Sequence, residues 1–294
     1  MSKNFFVIGG DLRVVKLVKI LADKNVVYTY GLEKSKEIDE NENIIKCKRI
    51  DEEVLYKNKI VIGPIPFSKD GSNIYAPYKD NEIEIKEVFK RIRGKQLIAG
   101  SIKDEIYKIA KEDDIKITDL LQNEKLAILN CISTAEGAIE IAIRETDRII
   151  HGINILVLGF GRIGKVLSKK LQGLSVNVTC AARKQEDLAW IKVYGFNEID
   201  INDMREKLSK FDIIFNTVPH QILTKDKFDY INPNCTIIEL ATHPGGIDRT
   251  AADEKNIKVI DALALPGKVA PTTTAEFMKD LIFEIINDKQ RKEK

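Results

Sequence analysis

Gly152-Ile153-Asn154-Ile155-Leu156-Val157-Leu158-Gly159-Phe160-Gly161-Arg162-Ile163-Gly164-Lys165-Val166-Leu167 is the stretch on which the reading of this chain turns. An apolar run of strand length meets Gly-x-Gly-x-x-Gly, and apolar residues then recur at helical spacing, so the order is strand, glycine turn, helix. In that order Gly159 permits a tight turn, Gly161 lets the backbone approach a pyrophosphate, and Gly164 lets the helix pack closely on the strand. Phe160, Arg162 and Ile163 fill the positions between. The free N–H groups of the helix's first turn, at the positive end of its dipole, then face the phosphates. Glycine turns occur in many folds; the strand before this one and the helix after it are what make it a dinucleotide site.

A second apolar run, Val176 to Ala181, ends in Ala182-Arg183-Lys184. A site for NAD places an acid about 20 residues beyond the glycines, to accept from the ribose hydroxyls. Here Arg183 and Lys184 occupy that region, with Arg162 as a third cation, so NADP is expected and NAD is the second choice. The bland alternative is a solvated basic turn, because strand ends are commonly charged and exposed.

With 294 residues, 44% of them hydrophobic and 31% charged, the chain can bury ample core and suits two domains. A formal charge of +2 gives no basic field for nucleic acid or an anionic membrane. Met1 to Ile8 runs straight into a strand with no signal-peptide pattern, and no apolar run of membrane-spanning length stands out, so a cytoplasmic location is expected. Cys47, Cys131, Cys180 and Cys235 are scattered without metal-ligand spacing, which reads as buried free thiols and no metal site.

Strand, glycines and helix also open the chain, at Phe5 to Ile8, Gly9-Gly10-Asp11-Leu12-Arg13 and the apolar positions from Val14 to Leu21, without the full fingerprint. Runs at Val26 to Tyr30, Lys59 to Gly63 and Gln96 to Gly100 are spaced as in a parallel sheet. The polar segment Ser68 to Glu84 reads as a long loop over one end of that sheet, a lid or a simple excursion. Asp11 suits a helix N-cap, and Arg13 either pairs with a substrate carboxylate or is a surface charge. Ser101 with Asp104, Ser133 with Glu136, and Thr273 with Glu276 have the spacing of helix starts. The expected fold is α/β, two Rossmann-like doubly wound parallel-sheet domains in a dehydrogenase-like layout: residues 1–130 plus 272–294, and residues 131–271. The last helix, with its stripe from Phe277 to Ile286, returns to the first domain.

Beyond the cofactor turn, Asn216-Thr217-Val218-Pro219 ends a strand as segments lining a nicotinamide commonly do. Of the three histidines, His243 lies at a strand end before Pro244-Gly245-Gly246 and is the better candidate for proton transfer or carboxylate binding than His151 or His220. The absence of a later histidine disfavours 2-hydroxyacid dehydrogenase chemistry.

Taken together, Gly9-Gly10-Asp11-x-Arg13, Glu136-Gly137, Gly159-Phe160-Gly161-Arg162 with Ala182-Arg183, Asn216-Thr217-x-Pro219, Pro244-Gly245-Gly246 and Leu265-Pro266-Gly267-x-Val269-Ala270-Pro271 resemble the family of dipicolinate synthase A subunits over nearly the whole chain. His243 stands where arginine is expected in relatives. The resemblance implies an oxidoreductase of sporulation, in the mother cell of a spore-forming bacterium, converting dihydrodipicolinate to dipicolinate with hydride transfer to NADP beside a flavoprotein-like B subunit. The chain is also expected to form a homo-oligomer. Under that reading Gly10, Asp11, Arg13, Ser133, Thr134, Glu136, Gly245, Gly246 and Lys268 bind the dicarboxylate, and Gly159, Phe160, Gly161, Arg162, Ile163, Gly164, Ala182, Arg183, Lys184, Thr217, Val218 and Pro219 bind the cofactor. The alternatives are another NADP-dependent keto or hydroxy acid reductase, or a non-catalytic nucleotide-binding regulatory subunit.

Overall fold

The computed structural model describes residues 4–39, 41–58 and 60–292. Met1 to Lys3, and Lys59 at the head of an expected strand, lie outside the described residues. Two compact units divide the chain, Met1–Ala127 with Ala270–Lys294, and Ile128–Val269.

In the first unit β1 (Asn4–Ile8), α1 (Leu12–Ala22), β2 (Val26–Tyr30), β3 (Ile44–Lys46), α2 (Glu52–Lys57), β4 (Ile60–Ile62), α3 (Ile85–Arg91), β5 (Gln96–Ala99), α4 (Asp104–Glu112) and β6 (Lys116–Asp119) follow one another. The strands form one parallel sheet in the order β3-β2-β1-β4-β5-β6. Parallel strands are covered on both faces and so carry continuous apolar runs. Accordingly Phe6, Ile8 and Val61 enter one core while Phe5, Val7 and Ile62 enter another.

Helix α5 (Glu124–Glu145) begins within the first unit's residues and continues in the second. There β7 (Asn154–Leu158), α6 (Arg162–Gly173), β8 (Asn177–Ala182), α7 (Gln185–Val193), β9 (Asn197–Asp200), β10 (Ile213–Asn216), α8 (Lys225–Phe228), β11 (Thr236–Glu239), α9 (Arg249–Glu254), β12 (Lys258–Asp261) and α10 (Leu265–Val269) build a second parallel sheet, β12-β11-β10-β7-β8-β9. Both sheets are doubly wound, with the order reversing beside the first strand of each unit, and such sheets bind ligands outside their carboxyl ends at that point. Helix α11 (Pro271–Lys292) belongs to the first unit, where Ala275, Met278, Leu281, Ile282 and Ile286 share a core with Val14, Leu17, Val18 and Leu21 of α1.

Three expected helix starts are corrected. Ser133 and Glu136 lie in the middle of α5, with Ser133 buried, because the apolar periodicity continues back to Leu126. Helix α11 starts at Pro271, where a missing N–H costs nothing, and Thr274 bonds back to the Ala270 carbonyl (2.8 Å), so Thr273 caps nothing. Helix α4 is preceded by Lys103, and Ser101 has φ +56° with its N–H and that of Ile102 donated to Asp119 (3.1 and 2.9 Å). One composition reading is also corrected. Helix α5 is long and apolar enough to cross a membrane, but half of that stretch is buried, with Ala135, Ala138 and Ala142 in the second unit's core.

Ile282→Ala in α11 is expected to cost about 2–5 kcal/mol in urea unfolding, because the site is fully buried. Glu276→Ala is expected to change stability by less than about 0.5 kcal/mol, where loss of a true cap would cost about 1.

Candidate functional site

At the carboxyl end of β7 the three motif glycines answer to three different constraints. Gly159 has φ +94°, and a side chain there would strike Thr217 Oγ1 at 2.5 Å. A Cβ on Gly164 would lie 2.1 Å from the Gly159 carbonyl oxygen, so the first turn of α6 can rest on the strand end only without one. Gly161 is different: its φ of −79° suits any residue, and a Cβ built there meets nothing within 4 Å. Nothing inside the protein requires glycine at 161. The backbone there is open to close approach by a ligand, and a dinucleotide pyrophosphate would fit such a position. Gly161 at the N-cap offers the twelve-residue helix α6 no side-chain acceptor, as at helix ends that hold anions.

Neighbouring strand ends join this turn. Gly159 N–H donates to the Ala181 carbonyl (2.8 Å), which sets Ala182, Arg183 and Lys184 beside the glycines; Arg183 and Lys184 are exposed. Phe160 is buried beneath the turn, with Tyr194 and Phe196 against its ring, and Arg162 and Ile163 open α6. On the other flank Thr217 Oγ1 donates to the Leu158 carbonyl (2.8 Å). Val218 and Pro219 continue that loop toward exposed His220.

Behind this rim lies a buried polar network that the sequence reading missed. Glu239 ends β11 with 3% exposure, and its carboxylate accepts from Asn216 Nδ2 (2.8 Å), Ala241 N–H (3.0 Å) and Gly246 N–H (2.9 Å). Fully buried Asn216 also donates to the Val218 carbonyl (3.0 Å) and accepts from Val218 N–H (3.1 Å). A Cβ on Gly246 would sit 2.4 Å from Asn216 Nδ2 and 2.7 Å from the Val218 carbonyl, so the loops after β10 and β11 are locked edge to edge. The available signal was a lone acid closing an apolar strand, with an asparagine closing its neighbour in register.

Of the expected dicarboxylate residues, Gly10, Asp11 and Arg13 lie in the first unit and the others in the second. Gly245, Gly246 and exposed His243 belong to the loop after β11. Exposed Lys268 is in α10, and Gly137 of α5 faces Val269 and Leu265 of that helix, with 3.0 Å from a built Cβ to Val269, so the Glu136-Gly137 pair serves helix packing. Glu136 itself pairs with Lys170 (2.7 Å), and Thr134 Oγ1 donates to the Asn130 carbonyl (2.9 Å). With the helix start gone, Ser133, Thr134 and Glu136 offer no free N–H groups.

In the first unit Arg13 is neither a surface charge nor free for a ligand. It is buried at 7% exposure, pairs with Asp11 (2.6 Å) and donates to the Ile65 carbonyl. Asp11 also accepts the Arg13 N–H (3.1 Å), which caps α1. Gly10 N–H donates to the Tyr75 carbonyl (2.8 Å), and the same oxygen lies 2.8 Å from a Cβ built on Gly9. The 68–84 loop thus seats its backbone on the turn where a pyrophosphate would lie. Hydrogen bonds from the Asn73 and Ser72 amides fix the loop's tip on Asp70 and hold that carboxyl well below the usual carboxylate range.

Among the described residues no His/Cys/Asp/Glu group suits a metal. All four cysteines are free and buried, and burial pushes the Cys180 and Cys235 thiols up to about 12, which removes them as nucleophiles.

Residues 4–121 match the N-terminal domain of the dipicolinate synthase A subunit, and residues 134–244 match the NAD binding domain of D-isomer specific 2-hydroxyacid dehydrogenases. The A subunit of dipicolinate synthase from Bacillus subtilis (strain 168) is 29% identical over 291 residues, covering 98% of this chain and 97% of the relative. The crystal structure of the dipicolinate synthase A chain from Bacillus subtilis superposes with a TM-score of 0.89 at 27% identity, covering 99% of this chain and 98% of that one. That of the A subunit from Bacillus halodurans gives 0.88 at 27% identity, covering 96% and 97%.

Gly161→Ala is expected to leave the melting temperature within about 2 °C of the parent while abolishing dinucleotide binding measured by fluorescence titration, since its Cβ meets only the ligand. Gly164→Ala is expected to lower the melting temperature as well, because helix and strand must part.

Proposed function

From the premise that the chain is a homologue of the dipicolinate synthase A subunit from end to end, we propose that it oxidises dihydrodipicolinate to dipicolinate with NADP as hydride acceptor, in the cytoplasm during sporulation and beside a second, flavoprotein-like subunit. The chain is an NAD(P)-dependent oxidoreductase. The observation that carries the reading is open Gly161, a glycine with no internal reason, ahead of an uncapped helix end.

The first-turn N–H groups of α6 hold the pyrophosphate, and Arg183 and Lys184, with Arg162, hold the 2′-phosphate. Thr217, Val218 and Pro219 line the nicotinamide. When bound, NADP would supply the acceptor for a hydride from the dihydropyridine ring. A proton leaves the same ring, which becomes aromatic, and exposed His243 at the adjoining loop is its acceptor. The product's aromaticity makes the step downhill, so positioning matters more than a strong base. Lys268 and, once it has taken the proton, His243 are the groups left for the two carboxylates, whereas the Gly245 and Gly246 N–H groups are already given to Thr242 and Glu239, and Arg13 is held by Asp11.

The reading is tested by following the near-ultraviolet absorbance of reduced nicotinamide with purified chain, NADP or NAD and freshly generated dihydrodipicolinate, with and without the second subunit. Reduction of NADP in the presence of dihydrodipicolinate is the expected result. Cofactor binding without reduction under any condition would overturn it in favour of a regulatory role or another substrate. Arg183→Ala is expected to lower the preference for NADP over NAD about ten- to a hundredfold, the worth of one charge-assisted hydrogen bond, with NAD affinity unchanged.

A further inference from the structure

Among the described residues Glu239 is the only buried acid, and its hydrogen-bond partners are all neutral: the Asn216 amide and the N–H groups of Ala241 and Gly246. Three donors and no acceptor define it as a carboxylate. The donors fill most of its lone-pair sites, about four in a carboxylate, but they do not cancel its charge. A buried charge without a counter-ion is costly, and structural locking of two loops needs no charge, since a neutral acceptor would serve. The charge therefore calls for a function of its own.

Its position supplies one. Through Asn216 the carboxylate is tied to both polar atoms of the Val218 backbone, and directly to Gly246, and these are the loops after β10 and β11. Reduction of a nicotinamide turns a cationic ring into a neutral one. A fixed negative charge behind the loop that faces the ring therefore interacts with the two redox states differently, and a charge buried as Glu239 is escapes much of the screening felt at the surface.

We infer that Glu239 sets the redox preference of the nucleotide site, its uncompensated buried charge holding the oxidised cofactor more tightly than the reduced one. This rests on the dinucleotide reading of the glycine turn. The consequence is directional: the site loads the hydride acceptor, and hydride uptake removes the attraction that held it, so the reduced form leaves.

The test is direct titration of the whole chain with NADP and with NADPH, and with NAD and NADH in parallel, by calorimetry or ligand fluorescence. Glu239→Gln is expected to lower the ratio of oxidised to reduced affinity at least threefold. Equal weakening of both forms, or an unchanged ratio, would make Glu239 a loop clamp only and overturn the inference. Asn216→Ala, which removes one compensating donor and leaves the charge, is expected to shift the ratio the other way; an unchanged ratio there overturns it as well and decides the matter should Glu239→Gln fail to fold. Failure of the parent chain to bind any of the four nucleotides would overturn the dinucleotide reading, and this inference with it. Binding by the parent with no change of ratio in the variants would overturn this inference alone.

Discussion

The near-contact of Gly164 with the Gly159 carbonyl is the constraint on which the second unit depends. Helix α6 must lie against the end of β7 for its first turn to reach the carboxyl edge of the sheet, and only a residue without Cβ allows that approach. From that contact the remaining geometry follows. Ala181 takes the Gly159 N–H, Leu158 takes the Thr217 hydroxyl, and three strand ends are drawn together around one turn. Burial of the strands on both faces then supplies the rigidity, with Leu167 and Leu171 of α6 in the same core as Ile155 and Val157 of β7.

The first unit repeats the topology, yet its turn is closed. Gly9 N–H donates to Tyr30 as Gly159 does to Ala181, but the next amide is taken by Tyr75, and Asp11 caps the helix end that an anion would need. A capped dipole is a poor anion site, because a negative side chain already occupies the favourable position. One plan thus yields an open turn and a sealed one. The difference lies in a carboxylate at the N-cap and in the 68–84 loop, which is long enough to reach back, a length that marks loops with a role of their own.

What could be read from the sequence was whatever is local. The strand, turn and helix around Gly159 are continuous in the chain, and each glycine's role follows from its neighbours. The parallel sheets were legible for the same reason, as apolar runs closed by glycine or proline. Capping spacings misled at Ser133 and Thr273 because a box of four residues says nothing about whether the helix already extends behind it. The apolar residues back to Leu126, and Pro271 at the first helical position, were the better signals. Arg13 was misplaced because its partners are an acid two residues away and a carbonyl fifty-two residues on, and only the acid can be seen in the sequence.

Glu239 shows the limit most clearly. An acid closing the run Thr236-Ile237-Ile238 looks like a strand leaving the core for solvent, and ordinarily acids are almost never fully buried. Here the register pairs it with Asn216, and the turn through Gly245 and Gly246 folds back to cover it. Gly246 is glycine because Asn216 and the Val218 carbonyl occupy the space a side chain would take, so the same close approach that seats α6 on β7 recurs between the two loops. Both contacts exclude side chains in order to bring backbone N–H groups to bear on negative charge. At the glycine turn that charge would be brought by the proposed dinucleotide, and at Glu239 the chain supplies it. The second unit therefore presents donors to an anion at one end of its site and keeps an anion of its own at the other, a polarity suited to a cofactor whose pyrophosphate is negative and whose oxidised ring is positive.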